Sequence, residues 1–532
     1  MGERLQAQAI SLWVATAPST GYAPLDTNID VDTAVIGGGV AGLTAALALS
    51  RAGQSVAVIE AAHVGTGVTG HTTGKVTSLH RLVYTEITGR HGPDAARSYG
   101  QANQAAVEHI ARVVSDEGID CGFRRVPNFT YAETDEALSL VRGEAALAAR
   151  LGLPSVFTTG VPLPFPVKGA VRFDNQAQLH AVRYVQGLAR AVDCAGSFVF
   201  EESRALALRD GTPVVVETER GSVRARDVIV ATNVPFGDKG SFAARYILHR
   251  SYLVASRTGP VPLEGTYISV EEPMRSILTV DVDGASYVLA GGEGHRAEDS
   301  GDTAERYRRL TAFSRDRLGT HEPVFRWSTQ DSISVDGLPY VGLMSPDSTH
   351  IHVITGLRKW GLTNGTAAAL ILADTLSGRA NPWARVFDSN RAPQPNGTPA
   401  AGQGVPILPR PRQAVPDQED KDALVVPAPG EGAVIEREGE KIAVYADPTG
   451  QIREVSAICT HLGCTVEFNA ADVTWDCPCH GSRFDIEGTV IQGPASINLS
   501  ARKTPPAGSS PPWRSSPPAS QRAPSADSSS DG

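Results

Sequence analysis

Residues 32–60 have the sequence DTAVIGGGVAGLTAALALSRAGQSVAVIE, and this stretch decides the fold of the first part of the chain. Its two apolar ends, 32–36 and 56–59, predict short strands. Between them, apolar residues recur at helical spacing, at Val40, Leu43 and Leu47. The stretch therefore predicts a strand, a tight turn, a helix and a second strand, as in an α/β sheet.

The turn at 37–42 fits the pattern G-x-G-x-x-G, which favours a dinucleotide site. Gly37 allows the tight turn, Gly39 lets the backbone approach a pyrophosphate, and Gly42 lets the helix pack closely on the strand. Val40 and Ala41 then begin the helix, whose N-terminal end favours phosphate.

Glu60 ends the second strand and is placed to accept hydrogen bonds from an adenosine ribose. The motif does not separate FAD from NAD. A glycine-rich turn also serves as a plain tight crossover in many α/β folds, so that interpretation stays open.

Four of the six cysteines lie between 459 and 479, which indicates a metal site more than a secreted disulfide scaffold. They form the pair of motifs Cys459-Thr-His461-Leu-Gly-Cys464 and Cys477-Pro-Cys479-His480-Gly-Ser482. Each motif offers one Cys and one His, and a Rieske [2Fe–2S] centre needs two of each. A zinc knuckle and a plain disulfide framework are the alternatives. The two isolated cysteines, Cys121 and Cys194, are expected to be buried thiols.

This doublet resembles the Rieske proteins of cytochrome bc complexes. The resemblance implies Cys459, His461, Cys477 and His480 as ligands of the cluster, and a disulfide between Cys464 and Cys479. It further implies a hydrogen bond from Ser482 to a cluster sulfur, and a covering loop at 493–495. Phe484 stands where that family usually has Tyr, so one hydrogen bond to the cluster should be missing and the potential should be lower.

Residues 1–390 resemble the D-amino-acid-oxidase-like FAD-dependent oxidoreductases, in the branch with a C-terminal Rieske domain. The similarity rests on the segments 68–74, 228–233, 336–342, 355–356 and 359–365. It implies FAD as the cofactor and adds six contact residues: Thr72, Thr73, Ala231, Gly356, Gly361 and Thr363. It assigns no catalytic residue.

The expected fold is α/β: a Rossmann-like FAD-binding domain with an inserted mixed-sheet substrate domain, followed by a small all-β Rieske domain. The predicted divisions are an extension (1–30), the oxidoreductase domain (31–390), a Pro/Gly-rich linker (391–424), the Rieske domain (425–502) and a disordered tail (503–532). Residues 214–219 and 222–232 predict paired strands around a turn, and 363–377 a helix.

A formal net charge of −10 argues against a non-specific nucleic-acid binder. No apolar run reaches the roughly 18–20 residues of a membrane span, and the N-terminus lacks a signal-peptide pattern. Cytoplasmic residence is therefore expected.

Two redox centres in one chain favour an enzyme that passes electrons between a small-molecule substrate and the cluster, with a soluble protein as donor or acceptor. The family favours amines or amino acids, and the direction of flow is open. The alternatives are an oxygen-using flavin oxidase with the Rieske domain as redox sensor, an electron-transfer protein without its own substrate, and a regulatory module with a degenerate flavin site.

Overall fold

The structure is a computed structural model that describes residues 7–194, 196–237, 242, 244–258, 263–299, 301–392 and 427–502. The predicted tail and all but the first two residues of the predicted linker lie outside the described residues.

Nine α-helices occur in this part of the chain: α1 Leu12–Thr16, α2 Val40–Arg51, α3 Val83–His91, α4 Pro93–Asp116, α5 Asp135–Arg150, α6 Ala181–Val192, α7 Thr303–Leu318, α8 Gly361–Leu376 and α9 Ala384–Phe387. The strands are β1 Asn28–Ile36, β2 Val56–Ile59, β3 Lys75–Val76, β4 Arg124–Ala132, β5 Ser155–Thr158, β6 Gly169–Gln178, β7 Phe198–Phe200, β8 Ala207–Arg209, β9 Val214–Glu217, β10 Ser222–Asn233, β11 Tyr246–Arg257, β12 Thr266–Ser269, β13 Arg275–Val282, β14 Ala285–Arg296, β15 Pro323–Ser334, β16 Tyr340–Leu343, β17 Ile351–Thr355, β18 Gly432–Arg437, β19 Glu440–Ala446, β20 Ile452–Ser456, β21 Glu467–Asn469, β22 Thr474–Asp476, β23 Arg483–Phe484 and β24 Val490–Gln492.

The first sheet is built around the glycine-rich stretch. Its order is β16-β17-β10-β1-β2-β7, and β1 pairs in parallel with both β2 and β10. Helices α2 and α8 pack against each other in the large hydrophobic core on this sheet. The predicted pairing of 214–219 with 222–232 is confirmed, because β9 runs antiparallel to β10 with Glu217 opposite Ser222. The predicted helix at 363–377 is confirmed as α8.

The second sheet has nine strands and joins parallel and antiparallel pairs. Its order is β15-β11-β14-β13-β12-β4-β6-β3, with β5 on β6. Strands β12 and β4 are parallel, whereas the other pairs are antiparallel. This sheet is the expected mixed-sheet domain, inserted between strands of the first sheet.

Residues 427–502, called the C-terminal domain below, contain strands and no helix among the described residues. One sheet is β18-β19-β20 and the other is β21-β22-β23-β24, all antiparallel. The segment after β24 returns to β20, where Ala501 bridges Val455. The all-β prediction is confirmed.

The N-terminal segment packs onto the first 75 residues of the fold through α1. Trp13 is buried, and its indole N–H donates to the Thr72 carbonyl at 2.7 Å. Cys121 is buried as expected, but Cys194 is exposed, so that expectation was wrong: it follows the end of α6, where the chain turns at the surface. In the part of the chain that the structure describes, no helix has both the length and the apolar character required to cross a membrane.

Candidate functional site

The glycine-rich turn is packed so closely that a side chain would meet neighbouring protein atoms. Gly37 has a φ of 114°, and a Cβ there would lie 2.7 Å from the Ala231 carbonyl oxygen. A Cβ on Gly39 would lie 3.0 Å from Thr69 Oγ1. Gly39 is also the N-cap of α2, and it lines a cavity together with Val40 and Ala41 at the start of the helix. The turn therefore fits a pyrophosphate.

The Glu60 carboxylate lies beside this turn. It accepts hydrogen bonds from the backbone N–H groups of Gly38, at 2.7 Å, and Ala62, at 2.9 Å. Burial raises the pKa of Glu60, and these two hydrogen bonds oppose that shift. A carboxylate fixed at the end of β2 fits the ribose hydroxyls of a dinucleotide.

A cavity of about 930 Å³ starts at this turn and reaches the nine-stranded sheet. It lies in the upper part of the roughly 300–1,000 Å³ range usual for ligand sites, so it can hold a long cofactor beside a small substrate. Nine of the predicted cofactor residues line it: Gly37, Gly39, Val40, Ala41, Glu60, Thr72, Thr73, Ala231 and Gly361.

The three other predicted cofactor residues lie behind the cavity surface. Gly42 packs against the Gly37 carbonyl, which leaves no room for a Cβ. Gly356 is placed next to the Tyr340 ring. Thr363 is buried and donates its hydroxyl to the Thr77 carbonyl at 2.9 Å. These residues support the cavity from behind.

Strands β11 and β15, called the shared wall below, lie between part of the cavity and the C-terminal domain, and residues 491–496 of that domain line the cavity directly. The cavity face of β15 carries Thr329, Asp331 and Ile333. On the opposite face, Ser328 donates to Asp472 at 2.5 Å, and Gln330 donates to the Gly481 carbonyl at 2.7 Å. Because side chains alternate between the two faces of a strand, a single layer of sheet lies between the cavity and the C-terminal domain at β15.

One buried ion pair joins the C-terminal domain to this wall, and two pairs within the domain support it. Arg250 on β11 donates to Asp476, and their side chains are only 6% and 13% exposed. Arg483 pairs with Asp476 at 3.0 Å and with Asp472 at 2.9 Å. Burial by itself would raise the pKa of Asp476, but Arg250 and Arg483 hold it well below its usual range. The carboxylates are therefore charged and matched by arginines.

The two cysteine motifs meet at one end of the C-terminal domain. The Cys459 and Cys477 thiols are buried and within hydrogen-bonding contact of each other, and Ser482 also contacts Cys459. The His461 and His480 rings face each other edge to face, with centroids 4.9 Å apart. Two thiols therefore meet and two imidazoles meet on the same two loops, and together they are the ligand set that a Rieske cluster needs.

The remaining two cysteines of the motifs, Cys464 and Cys479, form a disulfide that joins the two loops. Three sulfur atoms of this region lie close enough to hold a metal, those of Cys464, Cys477 and Cys479. The disulfide engages two of these three sulfur atoms, and the ligand role of Cys459, His461, Cys477 and His480 stays a prediction. The Ser482 hydroxyl accepts from the Ala495 N–H at 3.0 Å, which fixes the 493–495 loop above it.

Sequence reasoning missed the titratable groups of the cavity. The Lys75 ammonium is buried and donates to the Tyr267 carbonyl and to Ser276 Oγ at 2.7 Å; burial lowers its pKa to about 7. Lys359 and Asp331 also line the cavity. Lys75 and Lys359 lie within or beside the segments singled out from the sequence, whereas Asp331 lies outside them.

Comparison with known proteins assigns a family to each of the two main parts of the chain. Residues 32–375 match the family model for FAD dependent oxidoreductases, and residues 420–503 match the model for the Rieske [2Fe-2S] domain. The Rieske 2Fe-2S iron-sulfur protein YhfW of Bacillus subtilis (strain 168) is 32% identical over 489 residues, which cover 91% of this chain and 95% of that protein.

Two more distant similarities concern the first domain. Gamma-glutamylputrescine oxidoreductase of Escherichia coli (strain K12) is 27% identical over 72% of this chain and 92% of its own length. The crystal structure of glycine oxidase from Geobacillus kaustophilus superimposes with a TM-score of 0.58 at 20% identity, covering 68% of this chain and 99% of that one. The similarity to glycine oxidase shows only that the first domain has the same fold.

Proposed function

This chain belongs to the FAD-dependent oxidoreductases and carries a Rieske [2Fe–2S] domain, and from that premise we propose that it oxidises a small amine or amino acid at FAD and passes the electrons to the cluster. When bound, FAD accepts an electron pair and the cluster accepts single electrons. The protein's part is to bind the substrate, exclude water and hold the two cofactors close together.

The contact at Gln330 carries this proposal. Its side chain donates to the carbonyl of Gly481, the residue that follows the proposed ligand His480. The next residue along the strand, Asp331, lines the flavin cavity. The two sites therefore approach each other across one strand, and sheets pack only about 10 Å apart.

We further propose that the Rieske domain works from this fixed position. Its ion pair with the wall, Arg250 with Asp476, is buried, and removing one partner of a buried pair typically costs about 3–5 kcal/mol. Gln492 adds a hydrogen bond to the Gln330 carbonyl at 3.2 Å. A domain held in this way needs no movement to receive electrons.

The names of two similar proteins support the substrate class, since one acts on gamma-glutamylputrescine and the other on glycine. The electrons then leave the cluster for a soluble redox protein. Leu462, beside the proposed ligand His461, is 66% exposed, and Ile497 is 63% exposed. An apolar rim next to the cluster suits a transient contact with such a protein.

The test is anaerobic reduction of the purified holoenzyme with a panel of amines and amino acids. We expect one compound to bleach the flavin and then to produce the electron paramagnetic resonance signal of a reduced Rieske cluster. Cys459→Ser is the matched control: flavin bleaching should persist without that signal. A substrate that bleaches the flavin completely while the wild-type cluster stays oxidised would contradict the proposal.

A further inference from the structure

Asp331 differs from the other buried carboxylates around the cavity. It is 8% exposed and lines the cavity from the middle of β15. Glu293, also on the cavity surface, is paired with Arg275 at 2.6 Å. Across the described residues, by contrast, no hydrogen bond or ion pair engages the Asp331 carboxylate. A carboxylate that faces a cavity without a protein partner is available to bind a ligand there.

The nearest cation does not neutralise this carboxylate by direct contact. Lys359 is close enough to affect the pKa of Asp331, but its ammonium donates to Ser251 Oγ at 2.8 Å. Burial nevertheless raises the pKa of Asp331 to about 6, so the attraction of the Lys359 ammonium is weaker than the effect of removing the carboxylate from water. A cationic ligand would supply the missing partner.

A second unsatisfied group lies beside Asp331. His249 on β11 is directly opposite Asp331 in the antiparallel pair, and both line the cavity. His249 is 8% exposed, and its Nδ1 is buried with no hydrogen-bond partner in the part of the chain described. Burial first, and then Lys359, lower the pKa of His249 well below its usual value, so the ring is neutral and one nitrogen can accept.

We propose that Asp331, with His249 beside it, binds a positively charged ammonium group of the substrate, other than the amine that is oxidised. An ammonium has three N–H donors, so it can pair with the carboxylate and donate to the imidazole at once. This inference rests on the proposed function in that the cavity is taken as the place where substrate is oxidised. It narrows the substrate class to molecules that carry a second cationic amino group besides the amine that is oxidised.

The test compares three ligands of equal chain length that differ in charge at one end: butane-1,4-diamine, 4-aminobutan-1-ol and 4-aminobutanoate. Binding to the oxidised holoenzyme is measured by equilibrium dialysis and by the change in the flavin spectrum. We expect the diamine to bind most tightly. Asp331→Asn should weaken diamine binding by about 10-fold to 100-fold, the usual range for a lost charge-assisted hydrogen bond. It should also remove the preference among the three ligands.

Glu272→Gln is the matched control, because Glu272 is a cavity carboxylate that is 58% exposed and already paired with Arg81. It should leave diamine binding unchanged. The inference is overturned if no diamine binds, if 4-aminobutanoate binds best, or if Asp331→Asn changes FAD retention while diamine affinity stays the same. Because binding needs no turnover, Asp331-dependent diamine binding without cluster reduction would contradict only the proposed function.

Discussion

Replacing Arg250 by Met should separate flavin reduction from cluster reduction. The substitution removes the donor to Asp476 and the hydrogen bond to Gln330 Oε1 at 2.9 Å. Breaking a buried pair typically costs about 3–5 kcal/mol, and because Asp476 keeps Arg483 we take the lower end. A loss of about 3 kcal/mol lowers the ratio of docked to undocked Rieske domain by a factor of about 150.

The assay follows both cofactors in one anaerobic experiment. Stopped-flow absorbance records flavin bleaching by substrate, and rapid freezing with paramagnetic resonance records cluster reduction. We expect bleaching at the wild-type rate and a much slower appearance of the reduced cluster. Arg257→Met, an exposed position on the same strand, should change neither.

Hydrogen exchange at β15 and β24 measures the contact independently of catalysis. If Arg250→Met loosens this contact yet the cluster is reduced at the wild-type rate, electron transfer from the flavin to the cluster does not depend on fixed docking. If the contact is not loosened at all, the energetic argument from the buried pair is wrong.

Three further predictions concern the C-terminal domain. Cys464→Ser should weaken cluster retention without abolishing cluster assembly, because it removes the link between two loops and leaves the four proposed ligands; iron content after dilution measures this. Phe484→Tyr should raise the cluster potential by about 40 mV in a redox titration, if the added hydroxyl contributes a hydrogen bond of about 1 kcal/mol to the one-electron couple. Phe484 packs in the same buried cluster as Cys459 and Cys477. Hydrogen exchange should show the same docking of the Rieske domain from about pH 9 to about pH 5, because the arginines depress the pKa of Asp476. The contribution of Asp476 to docking is lost only as the pH falls below the ordinary aspartate pKa of about 3.9.

A specific result would contradict each of these three predictions. Cys121→Ser, at a buried thiol outside the motifs, is the control for Cys464→Ser, and equal iron loss in both would remove the role of the disulfide. An unchanged potential in Phe484→Tyr would mean that the ring edge does not face the cluster. Release of the Rieske domain near neutral pH would show that groups other than Asp476 govern docking.

The sequence was sufficient for features encoded locally. The glycine-rich turn and the strand pair β9–β10 depend on neighbours a few residues apart, so spacing alone predicted them. The cysteine motifs were equally local. The order of the motifs along the chain also indicated the family, and family models match residues 32–375 and 420–503.

Contacts between distant segments could not be predicted in this way. Arg250 and Asp476 are 226 positions apart, and nothing in either neighbourhood indicates the partner. Asp331 was missed for a second reason. Strand β15 has protein or cavity on both faces, so it lacks the apolar–polar alternation that reveals which side chains face a site.

The shared wall also constrains how this protein can change over time. Since side chains alternate along β15, inserting or deleting one residue before Gln330 would exchange its two faces. The Asp331 carboxylate would then face the Rieske domain, and the Gln330 side chain would face the flavin cavity. If the proposed function holds, substrate preference and the electron outlet depend on the same strand, and a chimera that borrows another Rieske domain must import the facing residues of both wall strands.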